Sequence, residues 1–257
     1  MNKTDNMYTP NRNLSIASLV MILIGILSGI IAFTTDTHAA WTNLLFNNYF
    51  FLGISLFAVF FVALQYVAEA GWSIVLKRVP EAIMTFLPYT SLIMLFIDVT
   101  AVLHFGGNHI YHWLEPGIMT EGSENYDYII AGKEPYLNAT FFLIRSFLYV
   151  IIWIYCARRL RQISLQGDLE GDIGERSYWK GLRVSGWFIV FFAITSSTAA
   201  WDWIMSIDTH WFSTLFGWYI FSEWAAIGFA SILLIALLLN KQGYLRYLND
   251  SHIHDLG

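Results

Sequence analysis

The stretch SSTAAWDWIMSIDTHWFSTLFGWYIFSEW, residues 196–224, lies in the most apolar part of the chain and still holds Asp202, Asp208, His210 and Glu223. Apolar sequence runs on from both ends of it, over residues 184–205 and 211–239, leaving SIDTH as a polar joint between two segments. A helix needs about 20 apolar residues to cross the hydrocarbon of a bilayer, and both segments are long enough. They read as a membrane helical hairpin with carboxylates placed inside it.

The rest of the chain has the same character. Of 257 residues, 56% are hydrophobic, 18% aromatic and only 13% charged. Helices of a soluble domain would alternate apolar and polar faces, whereas these runs are apolar all round. Six spans are expected, over Leu14–Thr35, Tyr49–Gly71, Ala82–Phe105, Tyr136–Ala157, Val184–Met205 and Trp211–Leu239. Backbone amides in hydrocarbon must be satisfied within their own segment, so each span should be a helix. The fold class is all-α, a polytopic bundle forming one membrane domain over residues 1–257.

Lysine and arginine set the orientation. Lys3 and Arg12 precede the first span, Lys77 and Arg78 follow the second, Arg158, Arg159, Arg161, Arg176, Lys180 and Arg183 lie between the fourth and fifth, and Lys241 and Arg246 follow the sixth. The odd-numbered connections hold Lys133 alone against seven carboxylates, among them Asp36, Glu115 and Asp208. The positive-inside rule then places both termini in the cytoplasm. The first span lacks a convincing cleavage site and reads as retained. The chain stops where Asn249, Asp250 or Ser251 could cap a further helix, so it is expected to be the N-terminal part of a longer subunit.

Cys156 is the only cysteine, which excludes an iron-sulfur cluster, a c-type haem, a thiolate zinc site and an intrachain disulfide. His109 and His112 sit three apart near His104, but at the end of a span, and no metal site is expected there. Haem b needs facing histidines within the bundle, and the second, fourth, fifth and sixth spans contain none. GILSG, Gly25 to Gly29, is a GxxxG pair that marks close helix packing. Pro88 should kink the third span, and Trp41, Trp113, Trp201, Trp203 and Trp211 read as an interfacial belt.

Ionisable residues within spans are costly and therefore candidates for function. At about 1.5 Å of rise per residue, Gln65 and Glu69 fall near the inner face on one side of the second helix. Arg145 and Glu223 fall near the midplane, and Asp98, His104 and Asp202 in the outer third. Thr195, Thr198 and Asp202 form one polar stripe on the fifth helix, while Asn138, Arg145 and Tyr149 form another on the fourth. A buried arginine requires a carboxylate partner; depth favours Glu223, with Asp98 second. Such a set suits a proton-conducting or quinone-facing chain of polar groups, because desolvated carboxylates exchange protons near neutral pH. The bland alternative is interhelical glue, the same groups pairing only to fix helix packing. A stand-alone transporter would call for broken helices and an internal repeat, and only Pro88 fits that pattern.

The run WDWIMSIDTHWFSTLFGWYIFSEW, residues 201–224, closely resembles a segment of the polytopic subunits of bacterial alternative complex III, a quinol:cytochrome c oxidoreductase, which belong with the NrfD and polysulfide-reductase membrane anchors. Chain length and the short N-terminal tail resemble the smaller, ActF-type subunit. The resemblance implies a bacterial inner-membrane subunit without a redox centre of its own. It implies partners: a larger ActC-type quinone subunit, iron-sulfur and c-haem subunits, lipids and a haem-copper terminal oxidase, with menaquinone or another quinone acting at the level of the complex. Nucleic acid is not among them. It also makes Asp202 the first proton-path candidate, with Thr195, Thr198, Glu223, Asp98, Glu69 and Arg145 supporting by position and His104 a quinone-facing candidate. No residue is expected to be catalytic, and a structural scaffold docking the redox subunits is the alternative role.

Overall fold

In a computed structural model, residues 8, 10–170 and 175–257 are described. Lys3, used in the charge argument, and residues 171–174 of the fourth connection lie outside them. The elements are α1 (Arg12–Thr35), α2 (Thr37–Val67), α3 (Arg78–Ile83), α4 (Leu87–Val102), α5 (Tyr128–Ala131), α6 (Ala139–Glu170), α7 (Glu175–Trp203), α8 (Phe216–Lys241) and α9 (Asp250–Leu256), with short 3-10 turns between some of them. No strand occurs among the described residues. Six helical segments, counting α3 and α4 as one, are long and apolar enough to cross a membrane, as expected of a multi-pass membrane protein.

The bundle is organised around α2, which packs on α7, α8, α4, α3 and α1. Two glycines allow its close approach to α8: the position of a Cβ on Gly53 is filled by Trp224, and that on Gly228 by Phe57. Connections at Asp36, residues 103–138 and residues 204–215 share one end of the bundle, here the capped end. The opposite end carries the first helix's start, residues 68–77 and the chain after Lys241, here the terminal end.

Boundaries depart from the expected spans for identifiable reasons. The second helix begins at Thr37 instead of Tyr49, because the Asp36 carboxylate accepts from the amide of Ala39 at 3.0 Å and caps it there. It ends at Val67, where Glu69 adopts φ +52° and the amides of Glu69 and Ala70 return to the carbonyls of Tyr66 and Gln65. That is a Schellman ending with glutamate where glycine is usual. Pro88 does interrupt its segment: a 3-10 turn over Met84–Phe86 separates α3 from α4. Two expectations fail. A Cβ on Gly25 or Gly29 would have nothing within 4 Å, and α1 buries no residue, so the GxxxG pair packs on nothing among the described residues. Trp41, Trp113 and Trp203 are interior residues and form no belt, because residues 103–138 fold over the capped end and cover them. The Trp41 indole donates to Gly106 O at 2.8 Å beneath this cover.

Candidate functional site

Arg145 sits six residues into α6 and Asp202 one residue before the end of α7, so both lie near the capped end. The two helices run in opposite directions, and side chains lean toward the N-terminus of their own helix. Arg145 therefore leans toward the cap, Asp202 leans away from it, and they meet. Arg145 Nε and Nη2 donate to the two Asp202 carboxylate oxygens at 2.8 Å each, a bidentate pair in which the side chains are 8% and 0% exposed. Nη1 donates to Tyr136 O at 3.0 Å, and the guanidinium lies 4.0 Å from the Tyr136 ring and 4.1 Å from that of Phe141. Tyr149 donates its hydroxyl to Asp202 at 3.0 Å.

This corrects the expected partner of Arg145. Glu223 is exposed on α8 beside Tyr219, and α8 packs on α2 and α7, away from α6. The pairing inferred from depth had placed Arg145 at the midplane by starting its helix too early, and depth alone says nothing of which face a residue occupies.

Around the ion pair lies a set of buried polar groups. Trp153 Nε1 donates to Thr195 Oγ1 at 3.0 Å, the Thr198 side chain lies beside Tyr149, and Trp203 Nε1 donates to Ser146 Oγ at 2.9 Å. Asp98, on α4, is fully buried; Tyr111 donates to its Oδ1 at 3.5 Å and to Trp203 O at 3.2 Å. Its Oδ2 makes no hydrogen bond, Ser146 and Trp203 lie beside the carboxyl, and the Asp202 carboxylate is near enough to act on it. The cluster thus contains two acids and one guanidinium. One acid is matched by Arg145, and the other, Asp98, has no cation paired with it among the described residues.

The remaining candidates lie elsewhere. His104 occupies the left-handed region at φ +49° just past α4, its ring stacked on His109 with centroids 5.5 Å apart, outside the buried cluster. Glu69 is at the terminal end, and so is Glu81, a fully buried acid the sequence argument passed over. Glu81 receives Arg78 and lies 3.7 Å from Lys77 Nζ, and the spacings of three and four were visible in the sequence. Between the two ends lies a phenylalanine layer: Phe60 meets Phe192 and Phe221 at 5.2 Å each, and Phe188 stacks on Phe192 at 5.4 Å.

Outside the membrane, His210 lies 2.7 Å from Asp127, and Lys133 donates to Thr209 O, tying the two capped-end connections together. Asp127 also caps α5. The Ile130 amide above all, then His210 and the Ile129 amide, hold its carboxyl below the usual range against a smaller opposing effect of desolvation. Among the described residues, no group of three or more His, Cys, Asp or Glu side chains is placed to hold a metal ion. Neither the models of known protein families nor the curated proteins include a match to this chain.

Proposed function

We propose that this chain is an ActF-type membrane subunit of a bacterial respiratory quinol:cytochrome c oxidoreductase of the alternative complex III kind. It lies in the cytoplasmic membrane with both termini inside and the capped end facing outward, in keeping with the distribution of lysine and arginine. The observation that carries the proposal is the buried set of Asp98, Asp202 and Arg145, two acids served by one cation at the end where quinol protons are released. The resemblance of residues 201–224 supplies the complex; the cluster supplies a place for a proton. Asp98 holds that proton and gives it up toward the capped side, where Tyr111 lies against its carboxyl. Asp202 sets the field that Asp98 feels and is itself held by Arg145 and Tyr149, and Thr195 and Thr198 extend the polar lining away from the cap. No redox step belongs to this chain; quinone chemistry and electron transfer through iron-sulfur clusters and c-type haem belong to the ActC-type and extramembrane partners.

A scaffold role has one observation in its favour, the full pairing of Asp202 with Arg145 and Tyr149. Turnover and proton release of the purified complex in proteoliposomes, at matched haem content, separate the two. Asp98→Asn is expected to lower proton yield or turnover while assembly holds. Unchanged turnover and yield in an intact complex leave the scaffold role standing and defeat the proton role.

A further inference from the structure

The terminal end contains a cavity of about 680 Å³ between the end of α2, the chain leading into α3, and the facing turns of α6 and α7. Its inner wall is apolar and buried, formed by Phe61, Val62, Pro80 and Ile163. Its rim is polar, with Glu69, Arg78 and Asp168 exposed and Tyr66, Lys77 and Tyr178 beside them. An apolar depth beneath a charged rim, at the height where membrane helices leave hydrocarbon, is the shape of a site for an amphiphile.

The unmet hydrogen-bonding groups say which one. Arg78 is occupied by Glu81, Asp168 and Ser164. Lys77 donates to Tyr66 Oη at 2.9 Å and lies 3.7 Å from Glu81, which leaves one of its three N–H groups for a ligand. Gln65 lines the cavity with a buried Oε1 that has no partner, and Glu69 makes no ion pair among the described residues. Glu69 is moreover held in the left-handed region, where a non-glycine residue is strained, so its place at the rim is fixed by the helix ending. Two lone acceptors at one place require a ligand rich in N–H donors, and one free lysine donor requires an acceptor on the same ligand.

Charge narrows the choice. Two cations, Lys77 and Arg78, and two carboxylates, Glu69 and Asp168, line the cavity, and Arg78 is taken up by Asp168 and Glu81, so no cation beyond Lys77 is left to hold an anionic headgroup. We infer that this cavity binds the headgroup of a phosphatidylethanolamine, with its ammonium at Glu69 and Gln65, its phosphate at Lys77, and its glycerol and first acyl carbons along Phe61 and Ile163. Choline would leave Gln65 unmet, because a quaternary ammonium has no N–H; a phosphatidylglycerol headgroup carries no cation to answer the Glu69 carboxylate.

The full chain, purified with whatever partners accompany it, is tested by native mass spectrometry in micelles doped in turn with phosphatidylethanolamine, phosphatidylcholine and phosphatidylglycerol of identical acyl chains. One ethanolamine lipid is expected to survive at collision energies that strip the other two. Glu69→Gln should weaken its retention at least about tenfold, the effect of losing one charge-assisted hydrogen bond, and Gln65→Leu should narrow the gap between ethanolamine and choline lipids. Equal retention of all three lipids, or an unchanged preference in Glu69→Gln, overturns the assignment. Soluble phosphoethanolamine should bind more weakly than the lipid; tighter binding of the soluble ester overturns the lipid as occupant. If Glu69→Gln fails to fold, Gln65→Leu and the comparison of lipids on the parent protein decide the matter.

Discussion

The pair of Arg145 and Asp202 invites a double-mutant cycle with Asp202→Leu, Arg145→Met and both together. Asp202→Leu strands a guanidinium whose side chain is 8% exposed, and breaking a buried pair from one side costs about 3–5 kcal/mol. Arg145 keeps its bond to Tyr136 O and its place between the Tyr136 and Phe141 rings, contacts that hold the loss to about 3 kcal/mol, the lower part of that range. Arg145→Met strands Asp202 with only Tyr149 to serve it, and the carboxyl can take up a proton, so about 3 kcal/mol is expected there too. The double variant buries neither charge. Its remaining costs are the Tyr149 hydroxyl and the Tyr136 carbonyl left without their partners, about 1–2 kcal/mol in all. The double variant should therefore be more stable than either single variant, with a coupling of several kcal/mol. Unfolding in mixed micelles of rising SDS fraction, followed by tryptophan fluorescence, reads this directly, since Trp153 and Trp203 both lie against Tyr149. Single losses that add in the double variant would refute the claim that the two charges answer each other.

Other perturbations test separate parts of the architecture. Gly228→Ala places a methyl group in the space of the buried Phe57 ring and is expected to cost about 1–3 kcal/mol in the same titration; an unchanged midpoint would mean that α2 and α8 are not so close. Gly25→Leu and Gly29→Leu, on a face that touches nothing, should leave the unfolding of this chain unchanged, and a loss near that of Gly228→Ala would place α1 inside the bundle. Asp127 has its carboxyl held below the ordinary range, so its contribution is present above a pH of about 4, the ordinary carboxylate value, and fades as pH falls through the lowered one. Amide exchange over residues 128–131, corrected for intrinsic rates, should accelerate as pH falls below about 4. Asp127→Asn should flatten that dependence, and an identical acid response in the variant would remove Asp127 as its source.

The six spans were legible because apolar length alone specifies a membrane helix, and the kink at Pro88 because a missing amide breaks the ladder wherever it falls. Partner choice was not. Glu223 and Asp202 both looked suitable for Arg145 by type and approximate depth, and what separates them is that α6 packs on α7 and not on α8. Hydrophobic pattern carries little information about neighbours when every face of every helix is apolar. Tyr111 was missed, and Trp113 read as interfacial, for another reason. They lie in a connection without periodicity, and only its folding over the capped end brings Tyr111 to Asp98. Trp203 was misplaced for the same cause, since an indole near a helix end reads as interfacial until a loop covers it.

The distribution of polar groups along the bundle limits how a proton could move. Along α7 the order is Phe188, Phe192, then Thr195, Thr198 and Asp202; along α2 and the turn that ends it the order is Tyr49, then Phe57 and Phe60, then Gln65 and Glu69. Both helices thus place phenylalanine between a polar region at the capped end and another at the terminal end, and the ring contacts across Phe60, Phe192 and Phe221 close that layer from three helices. A proton leaves a carboxyl only toward an acceptor within hydrogen-bond reach, and phenyl rings offer none. The Asp98 cluster is therefore placed to exchange protons with the capped side, while the buried Glu81, with Arg78 and Lys77, can serve only the terminal side. This arrangement fits a half-path better than a wire. It also separates two effects that a single activity assay would merge: Asp98→Asn should act on proton exchange at the capped side, whereas Glu81→Gln should act through the packing of α3 on α6 and leave that exchange intact.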